Sequence, residues 1–153
     1  MKLYIIIGNE ESRKSSTIRA LTGVRDTKKF KISVPDKRNV IEVYVKTTSF
    51  QEANGGTYPK EATIELTNCG CECAIICLWN KSANHPKSKK LMPDFIDYIN
   101  EFSKAGFTIQ SPKIFLDKED IVMKLSTDIL INNTIDKPAN EIAALVRKHW
   151  NIK

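Results

Sequence analysis

Apolar residues along this chain fall into two alternating patterns, unbroken runs and helically spaced positions. Tyr4 to Ile7 and Ala74 to Trp79 are bulky and consecutive. Unbroken runs of that length are the mark of strands buried on both faces, so strands are expected over Lys2–Ile7 and Cys73–Trp79. Phe30–Val34 and Val40–Lys46 read as two strands joined by a turn at Pro35-Asp36. Lys113–Leu116, starting at the earliest near Thr108, and Asp128–Ile131 read as shorter strands. Helical spacing appears between them. Lys14–Leu21 is expected to be a helix stopped by Gly23. Tyr58–Asn68 carries Pro59 in its first turn and has Gly70 just past its end. Pro93–Ala105 repeats Phe95, Ile96, Ile99 and Phe102 along one side before Gly106. Lys118–Leu125 reads as a short helix, and Ala139–Trp150 as a closing one with Ile142, Leu145, Val146 and Trp150 on one face. Asn80–Lys90 is polar and reads as a loop. The alternation implies an α/β fold: one domain over 1–153, a three-layer sandwich around a mostly parallel sheet of about five strands.

Composition changes that picture little. The 153 residues are 41% hydrophobic and 27% charged, ordinary for a soluble domain with a real core. No apolar run reaches membrane-spanning length. The stretch Leu3–Ile7 is too short for a signal peptide and runs straight into Gly-Asn-Glu-Glu. A cytoplasmic address and no membrane partner are therefore expected. The net charge of +6 favours anionic partners, whether nucleotides, nucleic acid or acidic proteins, without choosing among them. Cys69, Cys71, Cys73 and Cys77 crowd into one short stretch, which argues for free thiols. A C-x-C-x-C run in one extended segment does not readily close around a single ion, so no zinc is expected. Alternate spacing places Cys73 and Cys77 on one face of their strand.

The chemistry concentrates where the first strand gives way to the first helix. Gly8-Asn9-Glu10-Glu11-Ser12-Arg13-Lys14-Ser15 matches G-x-x-x-x-G-K-[ST] at the first Gly, the Lys and the Ser, with Arg13 in place of the second Gly. Such a loop needs a tight turn off a strand, backbone N–H groups facing phosphates and a helix N-terminus beneath them. Candidate ligand contacts are Gly8, Asn9, Ser12, Arg13, Lys14, Ser15 and Ser16. Lys14 would reach the β- and γ-phosphates, and the Ser15 hydroxyl would ligate Mg²⁺. Glu10 and Glu11 add negative charge beside this anion site. Arg13 forgoes the conformational freedom of glycine and brings a cation of its own.

The helix that follows, Ser15-Ser16-Thr17-Ile18-Arg19-Ala20-Leu21-Thr22-Gly23, resembles the first helix of P-loop NTPases. Asp128-Ile129-Leu130-Ile131-Asn132-Asn133 with Ala139–Leu145 resembles the closing strand and helix of P-loop nucleotide and nucleoside-monophosphate kinases. The two bracket the chain. The resemblance implies a P-loop NTPase-like fold, ATP or GTP with Mg²⁺ as ligands, and a strand exit near 132 close to the base. It also implies an acidic residue at the end of a central strand and an Arg-rich lid. The strand Ala74–Trp79 ends in Trp79-Asn80 with no carboxylate. Glu52, with Gln51 to orient a water, is the candidate acid at the exit of Val40–Val45, and Asp117 is another strand-exit carboxylate. The segment Asp117-Lys118-Glu119-Asp120 holds no Arg, and Arg147 lies in the last helix, so any lid would rely on Lys81, Lys87, Lys89 and Lys90.

Three readings follow. The first is a P-loop-type nucleotide- or phosphate-ligand-binding protein with kinase-like phosphotransfer open to it, Lys14 and Glu52 being its candidate catalytic residues. The second is a catalytically inert member of the same fold acting through a protein partner. The third is nucleic-acid binding through the basic loop 81–90, which lacks interleaved aromatics.

Overall fold

The computed structural model describes residues 1–10, 12–25, 31–36, 39–117, 127–132 and 134–152, with the backbone alone for 31–36 and 39. The strands are β1 (Lys2–Gly8), β2 (Lys31–Asp36), β3 (Asn39–Val45), β4 (Cys73–Trp79), β5 (Ala83–Asn84), β6 (Leu91–Met92), β7 (Thr108–Ile109), β8 (Ile114–Leu116) and β9 (Ile129–Ile131). The helices are α1 (Lys14–Thr22), α2 (Pro59–Asn68), α3 (Phe95–Lys104) and α4 (Ala139–Trp150). The main sheet runs β2-β3-β4-β1-β8-β9. Five of its members, β3, β4, β1, β8 and β9, are parallel. The antiparallel β2 widens one edge, and the short β7 extends the pairing along β1.

The unbroken apolar runs take the two central positions. β1 and β4 pair along their full length, from Lys2 with Cys73 to Gly8 with Trp79, and every residue of β4 is buried. Period-two alternation then splits the core between two faces. Ile6, Cys73, Ile75 and Cys77 pack against α1 and α4, joined by Ile18, Ile142, Val146 and Trp150. Leu3, Ile5, Ile7, Ala74, Ile76 and Leu78 pack on the other face with Ala62 and Leu66 of α2 and Phe95, Tyr98 and Phe102 of α3. This gives three layers, with Cys73 and Cys77 on one face as their spacing required. All four cysteines are free thiols. Among the described residues no helix is long and apolar enough to cross a membrane.

Local chemistry sets the helix ends. Asp94 caps α3 by accepting the Ile96 N–H at 2.9 Å. Gly23 ends α1 in the left-handed region at φ 73°. Arg147 of α4 donates to the last carbonyls of α1, Ala20 O at 3.1 Å and Leu21 O at 2.9 Å. This last-helix arginine thus ties α4 to α1.

Three expectations are corrected. Pro35 and Asp36 do not form the turn between β2 and β3, because they pair within the ladder opposite Val40 and Asn39. Asn80–Lys90 is not only loop, since Ala83–Asn84 pairs antiparallel with Leu91–Met92 in a small separate sheet. Thr108 begins a two-residue strand of its own, with residues 110–113 between it and β8. The expected helix Lys118–Leu125 and the start of the strand at Phe30 lie outside the described residues.

Candidate functional site

All five parallel strands end on one edge, where ligands of open α/β sheets collect. β1 runs into the loop 9–13. Its first turn is tight: a methyl group on Gly8 would meet Ser12 Oγ at 2.2 Å and the Leu116 carbonyl at 3.2 Å. The Ser12 N–H and hydroxyl both donate to the Asn9 carbonyl, at 3.1 and 2.7 Å. Arg13 stands in the left-handed region at φ 63°, ψ 22°, the conformation for which the motif's second glycine is suited. The loop therefore holds an arginine in a conformation that glycine adopts more readily. The Arg13 guanidinium points away from the loop and donates through Nε and Nη2 to the Ile135 carbonyl, at 3.2 and 2.8 Å.

Lys14 is the first residue of α1, yet its side chain is 3% exposed. Its ammonium donates to the Asn9 carbonyl and lies 3.5 Å from Ser12 Oγ. Burial pushes this amine below its ordinary value, and the charges of Cys77, Glu52 and Glu10 pull it part of the way back. The N-cap residue Arg13 makes no side-chain capping bond, and the first-turn amides of Lys14, Ser15 and Ser16 have no partner in their own helix. Ser15 and Ser16 are half-buried, Asn9 is half-buried and Glu10 is exposed. Glu11 lies outside the described residues.

The neighbouring exits supply what the local motif lacks. Phe50 is fully buried between Tyr98 and Phe102, with ring centroids 6.2 Å from each. This anchor holds the segment after β3. From it Glu52 reaches β4, where its carboxylate accepts the Trp79 indole N–H at 2.7 Å. A carboxylate from the β3 exit thus lies at the end of β4. The Gln51 amide nitrogen donates to the Pro93 carbonyl at 3.2 Å. Cys77 lies fully buried beside Lys14, its thiol 3.6 Å from the Thr47 carbonyl. Burial pushes that thiol up to about 12, against the pull of Lys14 and Lys46. A cavity of about 170 Å³ opens between the two halves, lined by Asn9, Glu10, Trp79, Lys81, Ser82 and Ala83.

A second set of contacts braces the far side of the loop. Asp117, at φ 64°, accepts the Thr134 N–H at 2.9 Å and contacts its hydroxyl. That hydroxyl lies 3.2 Å from the Ser12 carbonyl. The exit of β8 therefore supports the segment after β9, and that segment supports the loop 9–13. Asp117 is a strut rather than an open carboxylate.

Sequence reasoning did not find Trp79, His85 or Thr134. His85 is buried inside the basic loop: Nδ1 accepts the N–H groups of Lys87 and Ser88 at 3.1 and 3.0 Å. Its other nitrogen therefore carries the proton and donates to the Glu52 carbonyl at 3.1 Å. A lone histidine in a run of lysines was the available signal. Lys81, Lys87, Lys89 and Lys90 are all exposed, and among the described residues no three His, Cys, Asp or Glu side chains gather as a metal site. No family model matches the chain, and neither does any curated protein or solved structure.

Proposed function

We propose that the chain is a P-loop-type protein that binds the phosphate groups of ATP or GTP at the loop 8–16. The observation that carries this reading is Lys14: a lysine at the mouth of an uncapped helix, buried against the loop's own carbonyl. Desolvating an ammonium costs several kcal/mol unless it is paired, and an incoming phosphate would supply the missing counter-charge. Arg13 in the glycine conformation and the strand order around β1 support the same reading. In it the first-turn amides and Lys14 hold the phosphates.

The donor set fits Mg²⁺ in the way phosphate-bound Mg²⁺ is usually held, by one or two protein oxygens with phosphates and water. The Ser15 hydroxyl is one donor. Glu52, close enough to Lys14 to influence its protonation, is the candidate catalytic carboxylate for kinase-like phosphotransfer. Its engagement with Trp79 favours a second reading as well, an inert member of the fold that binds a protein partner. Transfer chemistry needs Glu52 released from the indole, and simple binding does not.

The test is thermal melting with MgATP and MgGTP at millimolar concentration. Saturation at about 100 times Kd stabilises by roughly 2.7 kcal/mol, a rise of about 5–10 °C for a domain of this size. Lys14→Met should abolish the rise while leaving the unliganded melting point equal or higher, since a buried charge has been removed. No rise in the wild type, or an equal one in the variant, overturns the proposal.

A further inference from the structure

The hairpin 81–92 is built more firmly than a solvated loop needs. His85 fixes its interior by three hydrogen bonds. Ser88 Oγ donates to the Gly55 carbonyl at 2.6 Å, and Ser82 Oγ to the Met92 carbonyl at 2.8 Å. The Lys89 N–H closes the turn on the His85 carbonyl at 3.0 Å, with Lys89 itself held at φ 61°. Polar groups that could face water instead define one backbone shape. That shape displays Lys87, Lys89 and Lys90, all exposed, and none of them forms an ion pair among the described residues. No Asp or Glu occurs between Asn80 and Pro93, so the lysines repel one another with nothing inside the hairpin to offset it.

The fold also supplies what the sequence of the loop lacks, an aromatic ring. Tyr58, at the start of α2 and 38% exposed, lies with its ring centroid 5.8 Å from the Lys90 ammonium. Leu91, 64% exposed, follows directly. We infer that the hairpin and Tyr58 form a docking surface for single-stranded nucleic acid. The lysines take successive backbone phosphates, and Tyr58 stacks a base whose phosphate meets Lys90. An acidic peptide would use the ammonium groups and leave the ring without a planar partner. A stacked nucleotide uses both, and this pairing of stacking with backbone charge is how non-specific single-strand surfaces work. The inference rests on Lys87, Lys89, Lys90 and Tyr58 and does not depend on the phosphate-loop proposal.

The experiment is fluorescence anisotropy of a labelled oligothymidylate of about 15 nucleotides, titrated over a salt series. Three phosphate contacts predict that log K falls against log salt with a slope of about −2. Lys87→Ala/Lys89→Ala/Lys90→Ala should flatten that slope towards zero. Tyr58→Ala should weaken binding about tenfold at every salt concentration and leave the slope alone. Equal melting points for the exposed-residue variants exclude misfolding. Absence of binding at low salt, an unchanged slope in the triple variant, or equal binding of polyglutamate of matched charge would each overturn the proposal, the last by making the hairpin an acidic-protein surface.

Discussion

The exit of β1 and the paired exits of β3 and β4 lie side by side on one edge of the sheet, and they are held in opposite ways. The β1 exit is held chiefly from within. Its bonds join Asn9, Ser12 and Lys14, residues no more than five apart. The other exit is held across the chain: Phe50 by rings of α3, Glu52 by Trp79, and the Glu52 carbonyl by His85. A locally closed loop can hold a residue in a costly conformation, as Arg13 shows by occupying the left-handed region. A loop assembled at long range depends on the core beneath it.

That difference is broken most directly at Phe50. Phe50→Ala removes a fully buried ring and should cost about 4 kcal/mol in a denaturant melt. The loss should also be selective in space. Hydrogen exchange should rise over 46–56 and 80–92, which lean on this anchor, while the loop 9–13 keeps its protection. Uniform loosening of both exits would show that they are one unit and end the comparison.

The same difference explains what the sequence disclosed. Gly8, Lys14 and the helix Ala139–Trp150 are legible because their signals are local: a spacing, a period, an apolar face. The mostly parallel sheet and three-layer core were legible in outline because unbroken runs mark buried strands. The Glu52–Trp79 contact joins residues 27 apart, Glu52–His85 spans 33, and Thr134 reaches Ser12 across 122. No periodicity encodes such pairs. Glu52 could be named as a strand-exit acid, but its engagement with an indole could not, and Gln51 read as its companion while its amide faces Pro93. The hairpin strands were invisible because two residues on each side are too few to establish an alternation.

Arg13 sharpens the comparison in the opposite direction. A non-glycine residue in the left-handed region carries about 1–2 kcal/mol of backbone cost, and its two bonds to the Ile135 carbonyl return part of it. Arg13→Gly should therefore raise stability by about 1 kcal/mol or less, read as a higher urea midpoint at constant m-value. The loop's exchange pattern should stay the same. A fall in stability would mean that the tether to the segment after β9, not local closure, holds the loop in place.

The smallest effect tests the seam where the two regions meet, at Lys14 and Cys77. The folded state raises the Cys77 thiol from 9.0 to about 12. An unfolded chain therefore releases this proton first, and stability present below pH 9.0 is lost as pH climbs towards 12. Lys14 acts with the opposite sign. Its folded value lies below 10.5, so the unfolded chain binds the extra proton, and stability rises with pH up to that point. Tyr44 and Tyr98, both raised chiefly by burial, add to the loss at higher pH still. Replacing Cys77 by Ala removes one component and leaves the others. Between about pH 9 and 10 the variant's stability should fall by roughly 1 kcal/mol less than that of the wild type. Lys14→Met should make the wild-type decline steeper over the same interval, because the opposing proton is gone. Parallel pH curves for wild type and Cys77→Ala would mean that the thiol is not sealed beside Lys14, and that the two exits do not share a buried boundary.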